Sequence, residues 1–173
     1  MRAITPAAIA EIIIDLENEL YRLERLETQM HAVKTEIASS PHLQEMLAES
    51  LALKLHNFYT GCERIFQIIA SELNGGKPSS YDWHRRLLER MSLPQDYRPP
   101  VVTAQTATQL REYLGFRHIV RNIYGFELDF GRIEELVEKY FQVHQDFVSD
   151  IRQFIQWLQE FKRTLREESE PPG

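Results

Sequence analysis

The chain has 173 residues, 43% hydrophobic and 27% charged, a net charge of −6 and a single cysteine, Cys62. That length suits one domain with a real core, and the composition is that of a folded globular chain. One cysteine excludes an intrachain disulfide and a cysteine-based zinc site, and it fits a reducing cytoplasm. The acidic balance argues against nonspecific nucleic-acid binding by the whole surface.

Thr5-Pro6 reads as an N-cap followed by proline at the first helical position. Behind it Ile9, Ile13, Leu16, Leu20, Leu23, Met30, Val33 and Ile37 recur at spacings of three and four, which predicts an amphipathic helix ending near Ala38. The run Ile12-Ile13-Ile14 is flanked by Glu11 and Asp15, and no basic n-region precedes it, so neither a signal peptide nor a membrane span is expected. Ser40-Pro41 repeats the start signal for a second helix, from Leu43 through Leu55, Phe58, Cys62 and Phe66 to Leu73, which Gly75-Gly76 should stop.

Lys77 to Ser80 reads as a loop and Tyr81 to Met91 as a short helix, before Pro94, Pro99 and Pro100 punctuate a connector. A fourth helix is predicted from about Thr103 to Tyr124. Asp129 is placed to cap a fifth, whose stripe runs from Ile133 through Tyr140, Phe147 and Phe154 to Leu165, with residues 167–173 expected to fray. No strand pattern competes and no internal repeat is present. Short connections favour antiparallel neighbours, so the predicted fold is an all-α, up-and-down bundle over a single domain, residues 1–173. Helices of 30 to 40 residues are rods of about 45–60 Å. Such rods either kink or extend a surface that a second subunit covers, which favours a homodimer.

Charge is unevenly spread. Between His84 and Arg132 there are eight arginines, no lysine and five acids, a local balance of +3 that leaves −9 for the rest of the chain. Arginine's planar fork can hold phosphate oxygens bidentately, but the same arginines could instead pair with acidic faces of neighbouring helices. Within this window Arg117-His118-Ile119-Val120-Arg121-Asn122-Ile123-Tyr124 is unusual. On a continuous helix Arg117, Arg121 and Tyr124 form one stripe, and His118 and Asn122 form a second beside it. The two stripes read either as an interhelical hydrogen-bond network or as a site.

The chemistry available to such a site is phosphodiester cleavage. RNA brings its own nucleophile, the 2′-hydroxyl, so the protein need only hold the phosphate, move a proton and stabilise developing charge. Arginine serves the first and last tasks and histidine the second. His31, His42, His56, His84 and His144 show no paired ligand spacing, so no metal constellation is legible, and these histidines read as surface or capping residues.

The segment from Phe116 to Asp129, with Arg117, Asn122 and Tyr124 in register, resembles the Arg-x4-His-x-Tyr signature of HepT-like proteins of the HEPN family, small all-helical ribonuclease toxins. Tyr81 to Met91 resembles a second recurrent block of those proteins, and helix order and length agree over nearly the whole chain. The resemblance implies a homodimer whose two motifs face each other across a positively lined cleft. It implies a metal-independent endoribonuclease without a cofactor, and an antitoxin that is a minimal nucleotidyltransferase (MNT type) able to transfer AMP to the motif tyrosine. Carried over, Arg117 would hold phosphate and stabilise charge, His118 would shape the site, and Tyr124 would accept AMP. Arg121 joins Arg117 as a phosphate contact because it shares the stripe. Read without the resemblance, Tyr124 is a core tyrosine with a satisfied hydroxyl.

Asn122 stands where the signature has its proton-transferring histidine. An amide hydrogen-bonds but does not titrate near neutrality. Loss of general acid–base catalysis is worth about 10²–10⁴-fold, so an inactive chain is expected, by design or by natural degeneration. His118 is a poor substitute base, since one turn displaces its ring by roughly 6 Å along the axis. The alternative is a non-catalytic HEPN subunit that binds nucleotide or docks a nucleotidyltransferase, and behind it a purely structural helical dimer.

Overall fold

A computed structural model describes residues 4–169. Five α-helices make up the fold: α1 (Pro6–Ser39), α2 (Gln44–Leu73), α3 (Trp83–Met91), α4 (Ala104–Val120) and α5 (Phe130–Ser169). Among the described residues there is no strand, only an isolated backbone bridge between Gln95 and Arg98. The all-α bundle expected from the periodicity is the fold. No helix among the described residues is long and apolar enough to cross a membrane.

The helix starts follow the capping chemistry. Thr5 accepts the Ala8 amide at 3.2 Å, Thr103 accepts that of Thr106 at 3.1 Å, and Asp129 accepts that of Arg132 at 3.2 Å. The Asp150 carboxylate on α5 accepts the Thr103 amide at 2.8 Å, which ties the start of α4 to its neighbour. Gly75 and Gly76 end α2 with φ of 68° and 113°, and the Gly76 amide donates back to the Ala70 carbonyl at 2.8 Å.

Four boundaries differ from the sequence reading. The Ser40 hydroxyl donates back to Glu36 at 2.6 Å, and Pro41–Leu43 forms one 3₁₀ turn, so α2 begins at Gln44, three residues after the Pro41 start signal. α3 begins at Trp83 and not at Tyr81. α5 continues through Glu167 and Glu168, expected to fray, while residues 170–173 of that tail lie outside the described residues. The fourth difference, the end of α4 at Val120, matters most and is taken up below.

Helix α2 is central and packs against α1, α3, α4 and α5. The ring of Phe58 marks its middle, standing edge-on to Tyr113 of α4 at 5.2 Å and to Tyr140 of α5 at 5.1 Å. The Tyr113 hydroxyl donates to the Leu136 carbonyl at 2.8 Å and so fixes α4 against α5. The proline-rich connector is held by buried Arg98, which donates to Asn74 Oδ1 at 3.0 Å and to the Pro99 carbonyl at 2.9 Å. Burial, with the Arg90 charge nearby, pulls the Arg98 guanidinium down to about 10.

Candidate active site

Glu63 lies four residues after Tyr59 and three before Phe66, all on the buried face of α2. A carboxylate in that position needs a cation or strong donors. It receives both kinds. His84 Nδ1, from α3, lies 2.5 Å from Glu63 Oε2, and Arg117 Nη1, from α4, lies 2.9 Å from the same oxygen. The Arg117 N–H is not aligned for a hydrogen bond, so the contact is an ion pair. Gln67 Nε2 donates to Oε1 at 3.4 Å, and the Arg117 guanidinium sits over the Tyr59 ring at 5.7 Å. Three helices thus meet at one carboxylate.

Beside this cluster a cleft of about 280 Å³ is lined by His84, Leu114, Arg117, His118, Arg121 and Asn122. Arg117 is buried and oriented, whereas His118, Arg121 and Asn122 are exposed at its rim. Arg121 forms no ion pair with a described residue. Its charge and that of Arg117 reach His56 on α2: burial pulls the His56 imidazole below its ordinary value, and both guanidiniums push the same way against a raising contact from Asn57.

Most of the other arginines in the basic window serve structure. Arg85 pairs with Asp82, and Arg132 with Glu112 and Glu135, while Arg90 and Arg98 donate to backbone carbonyls. Pairing with neighbouring acids, one of the two readings of this window, therefore accounts for part of it. Arg117 and Arg121 are the two that line the cleft.

The two predicted stripes of polar groups are broken after Val120. Arg121 donates its amide to the Arg117 carbonyl at 3.2 Å and Asn122 to that of Ile119 at 2.9 Å, and the Asn122 side chain donates to the His118 carbonyl at 2.6 Å. These bonds satisfy carbonyls that a helix end leaves unpaired, and the chain then turns. Tyr124 is consequently not helical and does not share the stripe with Arg117 and Arg121. Its backbone is extended, its amide donates to Glu127 Oε2 at 2.7 Å, and 72% of the residue is exposed. The core reading of Tyr124 is thereby corrected.

Sequence reasoning missed Glu63, and it passed over His84 as a surface or capping residue. The signal for Glu63 was present, because a lone acid within an apolar stripe implies a buried cation. Nothing local in the sequence pairs it with residues 21 and 54 positions further on.

A family model described as HepT-like protein matches residues 50–158. The chain belongs to the HepT-like family. The matched span holds Glu63, His84, Arg117, Asn122 and Tyr124, and leaves all of α1 outside it. No curated protein and no solved structure matches the HepT-like chain.

Proposed function

We propose that this HepT-like protein is the ribonuclease toxin of a HEPN/MNT toxin–antitoxin pair. In this reading it acts in the cytoplasm as a homodimer, with RNA as substrate and a minimal nucleotidyltransferase as the neutralising partner. The observation that carries the reading is Arg117, buried and held by Glu63 at the base of a cleft whose rim presents Arg121 and His118. An oriented guanidinium below and a solvated one above suit the oxygens of a phosphodiester. Charge stabilisation by such groups needs neither a metal nor a cofactor when the 2′-hydroxyl is the nucleophile.

Tyr124 is the proposed acceptor of AMP. Its exposure and its place just past the helix end leave it open to a modifying enzyme, and an added nucleotide would bring phosphate to the arginines of the cleft. With Tyr124→Phe, incubation with ATP and the partner should give no adduct by mass spectrometry; an undiminished adduct would place the modification elsewhere.

Asn122 favours the second reading, a non-catalytic docking or nucleotide-binding subunit, because its amide is engaged with the His118 carbonyl and cannot take a proton. Cleavage of RNA by the chain and by Asn122→His, each with an Arg117→Ala control, separates the two. Cleavage by either form that is lost with Arg117→Ala supports the ribonuclease. Two inert forms leave the docking subunit.

A further inference from the structure

On the ribonuclease reading, some group other than residue 122 must take the proton of the 2′-hydroxyl. We infer that His84, oriented by Glu63, is this general base. Glu63 Oε2 faces a guanidinium and accepts, so the nitrogen at 2.5 Å, His84 Nδ1, is assigned the hydrogen. With hydrogen on Nδ1, the tautomer able to act as a base carries its lone pair on Nε2, which has no hydrogen-bond partner among the described residues. The ring itself lines the cleft with Arg117 and Arg121. Stacking on Trp83, with centroids 3.6 Å apart and planes 27° apart, restrains its tilt, and Lys77 Nζ lies 4.6 Å from the Trp83 ring centroid.

One oxygen, Glu63 Oε2, therefore sets both the base and the phosphate-binding guanidinium, which fixes their relative geometry. The other imidazoles nearby lack this. His118 lines the cleft but has no partner among the described residues to orient its ring, and His56 is bonded to Asn57 at 3.4 Å and stands outside the cleft lining.

The step balances without a co-reactant. His84 Nε2 takes the 2′-hydroxyl proton, O2′ bonds to phosphorus, and the P–O5′ bond breaks. O5′ gains a proton from water and His84 returns its own to solvent. The products are a 2′,3′-cyclic phosphate and a 5′-hydroxyl.

The test is the pH profile of RNA cleavage by the chain, His84→Gln, Glu63→Gln and Asn122→His, with folding of each checked by circular dichroism. The chain should cleave to cyclic-phosphate ends. His84→Gln should lower kcat by about 10²–10⁴-fold at little cost in KM and abolish the acid limb of the profile. Glu63→Gln should keep the side-chain shape, lower kcat and move that limb. Equal cleavage by His84→Gln with an unchanged acid limb overturns the assignment. An inert chain beside an active Asn122→His also overturns it, while leaving the ribonuclease reading standing. If neither cuts, both fail. A measurement on the unaltered protein covers a variant that does not fold. Its imidazole nitrogen NMR should show His84 as the Nδ1–H tautomer, with Nε2 shifting when an uncleavable 2′-deoxy oligonucleotide is added. An Nε2–H tautomer contradicts the assignment.

Discussion

Glu63 is only 3% exposed and is shared by His84 and Arg117 at a single oxygen. Removing one member of a buried ion pair leaves the other charge uncompensated. Glu63→Leu should therefore cost about 2–4 kcal/mol in a urea titration, somewhat under the usual range because Arg117 borders a cleft. Arg117→Leu leaves His84 on the carboxylate and should cost less, and the double variant should fall short of the sum. Strict additivity would mean that the pair is not coupled. His144 tests the core in another way. It is buried, its Nε2 has no hydrogen-bond partner among the described residues, and burial lowers its pKa below 6.5 against the raising influence of Glu27, the Leu23 backbone and Glu24. A histidine that resists protonation when folded gives stability that is complete above the unfolded value and declines as pH falls toward the folded one. Stability should thus fall between pH 7.5 and 5.5, by up to about 1 kcal/mol per pH unit from this group and visible as a lower melting temperature, and His144→Phe should flatten the slope. A parallel slope in the variant would assign the acid sensitivity to other groups.

Among the elements, the α1–α2 seam is set by contact distance. A Cβ built on Gly61 would stand 2.6 Å from Leu23 Cδ2, so the two helices approach as closely as they do because residue 61 lacks a side chain. Leu23 is buried and has little room to withdraw. Gly61→Ala should lower stability by about 1–3 kcal/mol despite alanine's better helix propensity, as thermal melts would show. A stabilised variant would mean that the seam is looser than the structure indicates. Three- and four-residue spacing made the helices themselves legible, and Thr5, Thr103 and Asp129 cap as their types predict. The end of α4 was not legible in the same way. Periodicity carries a helix through Arg121 to Tyr124, and the bond that closes it, Asn122 to the His118 carbonyl at 2.6 Å, competes locally with helix propagation.

At the scale of the whole molecule, α1, α2 and α5 span 34, 30 and 40 residues, and α2 still carries exposed apolar side chains. Met46 and Leu53 are 61% and 57% exposed and share a face with Glu49, against which Gly125 of the motif loop lies. The proposed dimer would cover this stripe. Sedimentation should find two copies for the chain and one for Leu53→Glu. A monomeric parent removes the dimer from the proposal, and an unaffected dimer in the variant moves the interface off α2.

The sequence by itself determined the helical class, most helix boundaries and the identity of Arg117, Arg121 and Tyr124 as a group to examine, because capping and apolar spacing act over a few residues. Only the tertiary structure decided that Tyr124 leaves the helix, that Arg98 is structural, and that Glu63 and His84 join Arg117. The last of these depends on three helices packing until a buried carboxylate meets its partners, a requirement that electrostatics imposes on neighbours in space and not on neighbours in the chain.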